Sequence, residues 1–98
     1  MTTKDEIFDV LKSHKPYLEK LGITNIGVFG SYVRDEQTKN SDIDLLIDFA
    51  PEYENFDNLM AVYDLLESIF KDEKVEVVTK NGLSPHMAPK ILQEVTYV

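Results

Sequence analysis

A chain of 98 residues holds one hydrophobic core and leaves no room for a second, so a single domain over residues 1–98 is expected. Its apolar share of 43% and its five tyrosines and five phenylalanines exclude a disordered polymer, and the absence of cysteine excludes disulfides, thiolate metal sites and cysteine nucleophiles. A net charge of −8 opposes direct contact with nucleic acid, and no apolar run approaches the roughly 20 residues a membrane span needs.

The first residues, MTTKDEIFDV, have no signal-peptide pattern, which makes a cytoplasmic location without a membrane partner the expectation. Thr3-Lys4-Asp5-Glu6 has the spacing of a capping box, and Ile7, Val10, Leu11, Leu18 and Leu21 follow helical periodicity as far as Gly22. A first helix is expected there. Pro16 should bend or split it near residue 14, because proline removes a backbone hydrogen bond and clashes with the preceding turn.

Residues 23–29 are apolar and β-branched, stop at Gly30, and read as a buried strand. Residues 31–36 are expected to form a brief helix and 37–41 a polar loop. Over 42–49 the alternation is strict: Ile43, Leu45, Ile47 and Phe49 share one face of a strand, and Asp42, Asp44, Leu46 and Asp48 the other. Pro51 ends it. Phe56, Leu59, Met60, Tyr63, Leu66 and Phe70 then form a stripe expected to turn a second long helix toward the core. Residues 74–79 read as a third strand, Asn81-Gly82 as a turn, and Ser84-Pro85 as the cap and first residue of a final helix carrying Ile91, Leu92 and Val95, with Pro89 obscuring its start. The order helix, strand, helix, strand, helix, strand, helix implies an α/β (α+β) fold without internal repeats.

Chemistry concentrates between Gly30 and Asp44. Residues i and i+2 of a strand share a face with Cα atoms roughly 6.5–7 Å apart, so Asp42 and Asp44 converge on one place. Two carboxylates so placed can bridge magnesium ions about 3.5–4 Å apart, and magnesium is the cation that carboxylates and phosphates together select. The same D-x-D also suits the solvated face of an edge strand. Gly30 admits a ligand close to the backbone, and Ser31 offers a hydroxyl and an N–H to phosphate, although a serine cap after a turn glycine has the same letters. Arg34 is the chain's one arginine, three residues after Ser31, and its planar guanidinium can hold phosphate by two hydrogen bonds. Taken together, these residues point to nucleotidyl transfer.

The joint order resembles the minimal nucleotidyltransferase (MNT) family of the DNA polymerase β superfamily: a GS turn, an arginine three residues on, and an S-D-x-D-L strand. Gly30, Ser31, Arg34, Ser41, Asp42, Asp44 and Leu45 match that pattern. The resemblance implies a small mixed β-sheet packed with helices, the polymerase β-like core. By it, Gly30 and Ser31, with Arg34 and Ser41, would bind the nucleotide triphosphate, and Asp42 and Asp44 would hold two Mg2+ ions. Glu76, within Lys74-Val75-Glu76-Val77-Val78, would be the third metal ligand and base where the family commonly has aspartate. Asp35 is a second departure, at a position where many relatives have glycine. Tyr32 would flank the nucleotide, His14 and His86 would be structural, and Ile91 to Val98 looks like the family's C-terminal helix and tail.

Stand-alone members of the family act as antitoxins of HEPN-domain ribonuclease toxins, transferring AMP from ATP to toxin tyrosines. The resemblance therefore implies ATP as substrate and a HEPN toxin as partner. Two alternatives remain open from the residues: an antitoxin that neutralises by binding alone, and a small-molecule nucleotidyltransferase of the antibiotic-modifying kind. The lack of an appended substrate domain argues against the latter.

Overall fold

Thr3 starts the first helix, α1 (Lys4–Lys20), in the way its capping-box spacing predicts: its side chain accepts the Glu6 N–H at 3.2 Å and its hydroxyl meets Glu6 Oε1 at 3.2 Å. The structure is a computed structural model that describes residues 3–98. Of the two expected outcomes, a bend or a split at Pro16, the split does not occur: α1 runs through Pro16 as one helix. Ile7 and Leu11 before the proline and Leu18 after it are fully buried, so both halves are held on one core. That burial outweighs the roughly 3 kcal/mol of a mid-helix proline.

Four strands form one mixed sheet in the order β3-β2-β1-β4. β1 (Ile23–Phe29) and β2 (Ile43–Phe49) are antiparallel, and β3 (Val75–Thr79) lies parallel to β2. A parallel pair needs a crossover, which a single 3-10 turn at Pro51–Tyr53 and α2 (Phe56–Ile69) supply. On one face Ile7, Leu11 and Leu18 of α1 and Val62 and Leu66 of α2 pack with Val28, Ile43, Leu45, Ile47 and Val77. Alternation sends Asp44, Glu76 and Val78 to the other face, where α3 (Ala88–Glu94) contributes Ile91. The expected small mixed sheet with helices is the observed one.

Several local expectations are corrected. Phe56 is 73% exposed and Met60 40%, while Val62 is fully buried with Leu59, Tyr63 and Ile69 packed at the core's margin. At about 100° per residue Met60 lies some 160° around the helix from Val62, so the true stripe is centred on Val62 and Leu66. Residues 31–36 make successive turns rather than a helix: the Arg34 N–H reaches the Gly30 carbonyl at 3.2 Å, and then Asp35 turns left-handed at φ 61°. The final helix begins at Ala88, with Pro89 in its first turn, where a missing N–H breaks no helical bond. Ser84 instead caps a preceding turn by accepting the Met87 N–H at 3.3 Å. The chain then ends in β4 (Thr96–Tyr97), antiparallel to β1 and absent from the sequence reading.

Candidate active site

Strand register assembles the site. Asp44 of β2 stands opposite Phe29 of β1 on one side and Glu76 of β3 on the other. Phe29 leads directly into Gly30, which has φ 82° and lies so close to Asp44 that an added Cβ would overlap the carboxylate. Glycine is thus required there both by backbone conformation and by space. Asp42 falls one residue before β2 rather than inside it, near enough for its charge to act on Asp44.

Burial pushes the Asp44 carboxyl up to about 7, and the charge of Glu76, a hydrogen bond to Glu76, and the charges of Asp42 and Glu94 add to the effect. Asp44 and Glu76 also line a cleft of about 430 Å3, walled by Phe29, Val78, Leu83, Met87 and Ile91. An adjoining cavity of about 210 Å3 shares Phe29, Asp44, Met87 and Ile91 and extends to Gly30, Arg34, Lys90 and Glu94. One continuous site therefore unites the carboxylate pair with the turn that follows β1.

Glu94, at the end of α3, is the member of this site that sequence reasoning missed. Its Oε1 accepts the Gly30 N–H at 2.6 Å and Arg34 Nη1 at 2.5 Å. Arg34 Nε donates to Glu36 Oε1 at 2.6 Å. The hydrogen bond to Glu36, reinforced by the charges of Glu94 and Glu36, holds the Arg34 guanidinium above its usual value.

The remaining expected residues are placed differently. The Ser31 carbonyl accepts the Glu36 N–H at 2.9 Å, which fixes the turn. Ser41 Oγ accepts the Thr38 N–H at 2.8 Å, and Ser41 sits beside a separate depression with Lys39, Asn40 and Lys74. Tyr32 does not flank the cleft: it is 1% exposed and packs in the core, with a hydroxyl that finds no protein hydrogen bond among the described residues. Burial first, and then the charge of Glu73, raise its pKa. Asp35 occupies the left-handed region, where glycine is the unstrained residue and aspartate one of the better-tolerated substitutes.

Asp44 and Glu76 are hard oxygen donors side by side in the cleft, whereas Asp42 lines a neighbouring depression with Glu67, Lys71 and Lys74; a divalent cation would relieve the like charge around Asp44. Among the described residues no three His, Asp or Glu side chains already converge on a cation position. Such a donor set fits magnesium, which takes one or two carboxylates and fills the rest of its octahedron with water and substrate phosphate.

A family model described as a nucleotidyltransferase domain matches residues 6–98. The chain belongs to this family. The nucleotidyltransferase is 39% identical to the protein adenylyltransferase MntA of Thermococcus cleftensis over 99 residues, covering 100% of this chain and 98% of that protein. It is also 39% identical to a proposed protein adenylyltransferase of Methanocaldococcus jannaschii over 108 residues, covering 100% of both. Among solved structures, a proposed minimal nucleotidyltransferase superposes with a TM-score of 0.81 at 23% identity, over 97% of this chain and 95% of that one. A toxin–antitoxin crystal structure with AMP-PNP superposes with a TM-score of 0.65 at 23% identity, over 98% of this chain and 72% of that one. At these identities the structural matches speak for the fold, which is that of the minimal nucleotidyltransferases.

Proposed function

We propose that this nucleotidyltransferase transfers AMP from ATP to a tyrosine hydroxyl of a cognate HEPN-domain ribonuclease toxin and thereby acts as its antitoxin. The observation that carries the reading is the end-to-end identity of 39% with a protein adenylyltransferase, in a chain that sets Asp44 between Glu76 in one cleft and Gly30 in the cavity adjoining it. The toxin–antitoxin structure with AMP-PNP supports the partner class and the nucleotide. A surface with net charge −8 suits docking on a protein built to hold RNA. Work on ATP and a ribonuclease toxin belongs in the cytoplasm, and among the described residues no helix is long and apolar enough to cross a membrane.

Asp42, Asp44 and Glu76 would hold two magnesium ions, which when bound neutralise the triphosphate and make the acceptor hydroxyl easier to deprotonate. Gly30, Ser31 and Arg34 would hold the triphosphate, and Ser41 would keep the loop that presents Asp42. A carboxylate of the Asp44–Glu76 pair takes the proton as the tyrosine oxygen bonds to the α-phosphorus. The bond from that phosphorus to the bridging oxygen breaks, and pyrophosphate leaves. Positioning and charge neutralisation supply most of the acceleration in such transfers.

Intact mass of the partner toxin after incubation with ATP, magnesium and this protein tests the reading. AMP-sized increments that disappear with an Asp42→Ala, Asp44→Ala double variant are the expected result. The capture of the Gly30 N–H and Arg34 by Glu94 favours a second reading, an antitoxin that works by binding alone. Under it, the double variant neutralises the toxin undiminished and no increment forms.

A further inference from the structure

Gly30 and Arg34 belong to the turn expected to receive phosphate, and a single carboxylate oxygen, Glu94 Oε1, takes a donor from each, at 2.6 and 2.5 Å. A backbone N–H offers one proton, so the Gly30 N–H cannot serve Glu94 and an incoming phosphate fully at the same time. Arg34 has five donors and can be shared, but its remaining ion-pair partner, Glu36, is also an acid. The Glu94 side chain is only 15% exposed and adds a further negative charge to a cleft that already holds Asp44 and Glu76. A triphosphate entering past it meets both an occupied donor and a like charge.

We propose that Glu94 is a resident phosphate mimic: its carboxylate closes the phosphate turn in the absence of nucleotide, and ATP binds by displacing it together with the end of α3. The proposal rests on the reading of Gly30 and Arg34 as the triphosphate site. The segment that carries Glu94 is built to release. α3 has seven residues with Ile91 as its buried anchor, and β4 has two exposed residues paired with Gly27 and Val28. Beyond these, the Val98 N–H reaches the Ile26 carbonyl at 2.9 Å and Lys15 Nζ reaches the Val98 carbonyl at 3.0 Å. With Ile91 and the partly buried Val98 as its contacts with the core, this segment buries less apolar surface than the strands beneath it and opens more readily.

The opposite role for the same contacts is a strut that aims Arg34 at the nucleotide, and the two roles predict opposite signs. Binding of AMP-PNP with magnesium is measured by calorimetry for the wild-type protein and for Glu94→Gln, which preserves shape and removes charge. Affinity about tenfold higher in Glu94→Gln is the expected result, the loss of one charged competitor for two donors. Equal or weaker binding by the variant overturns the proposal. Hydrogen exchange of the wild-type protein provides a readout that needs no variant: nucleotide should speed exchange over residues 88–98, and slower exchange there overturns displacement. If neither protein binds AMP-PNP, the reading of the turn as a triphosphate site falls and takes this proposal with it, an outcome distinct from binding that weakens in the variant.

Discussion

Asp44, with a carboxyl at about 7 in the folded protein against an ordinary value of 3.8, keeps a proton across a pH range in which the unfolded chain has released it. Because the native state binds more protons there, the contribution of Asp44 to stability without metal is fully present in acid and is lost as pH rises from about 4 through about 7. Asp44→Asn, which cannot ionise, should flatten that decline and be more stable than the wild-type protein above neutrality, as urea midpoints measured across pH in a chelator would show. With Asp44 as the proposed magnesium ligand, metal binding needs its carboxylate, and magnesium affinity in the wild-type protein should weaken as pH falls below about 7. At this scale period-two alternation sent Asp44 to the face away from Ile43 and Leu45, while Glu76 was singled out by the family resemblance and not by alternation. The sequence was silent about Glu94, whose contact with Gly30 spans 64 residues and leaves no local pattern. Tyr32 was misplaced for a related reason: adjacency to a turn glycine says nothing about whether the next side chain points to the core or to the cleft.

At the scale of elements, what was readable depended on whether one face of each element alone is apolar. β1, β2 and β3 match their expected spans within a residue, because buried strands between turn residues have few alternatives. α2 has apolar side chains around more than half its circumference, so Phe56 and Met60 were assigned to a core that Val62 occupies. β4 is two residues long and exposed, and so carries no alternation to read. Pro16 is the informative exception, a residue with a strong local preference overruled by buried neighbours on both sides. Since α1 already has helical geometry there, Pro16→Ala should restore a hydrogen bond to the Lys12 carbonyl and raise stability by about 1–3 kcal/mol, measured by denaturant unfolding.

For the whole molecule, 18 acidic side chains against 10 basic ones give a self-repelling surface, and Asp44 and Glu76 add two acids side by side in the cleft. Added sodium chloride should therefore raise the melting temperature modestly by screening. Magnesium chloride at equal ionic strength should raise it further, and the excess should vanish in the Asp42→Ala, Asp44→Ala variant if it arises from site binding rather than from general screening. Composition predicted the charge but not the pairing of Asp44 with Glu76, which exists only after β2 and β3 lie side by side.

The in-register pairing of Asp44 with Glu76 makes the sheet itself the ruler of the candidate cleft. Neighbouring strands are spaced about 4.8 Å apart, and that distance, set by backbone hydrogen bonds, separates the roots of the two carboxylates. A slip of one residue in β3 would swing Glu76 into the apolar core and bring Val77 out in its place. Loops around the cleft can vary in length and content without altering this gauge, whereas an insertion within β3 would erase it even with every acidic residue still present in the chain.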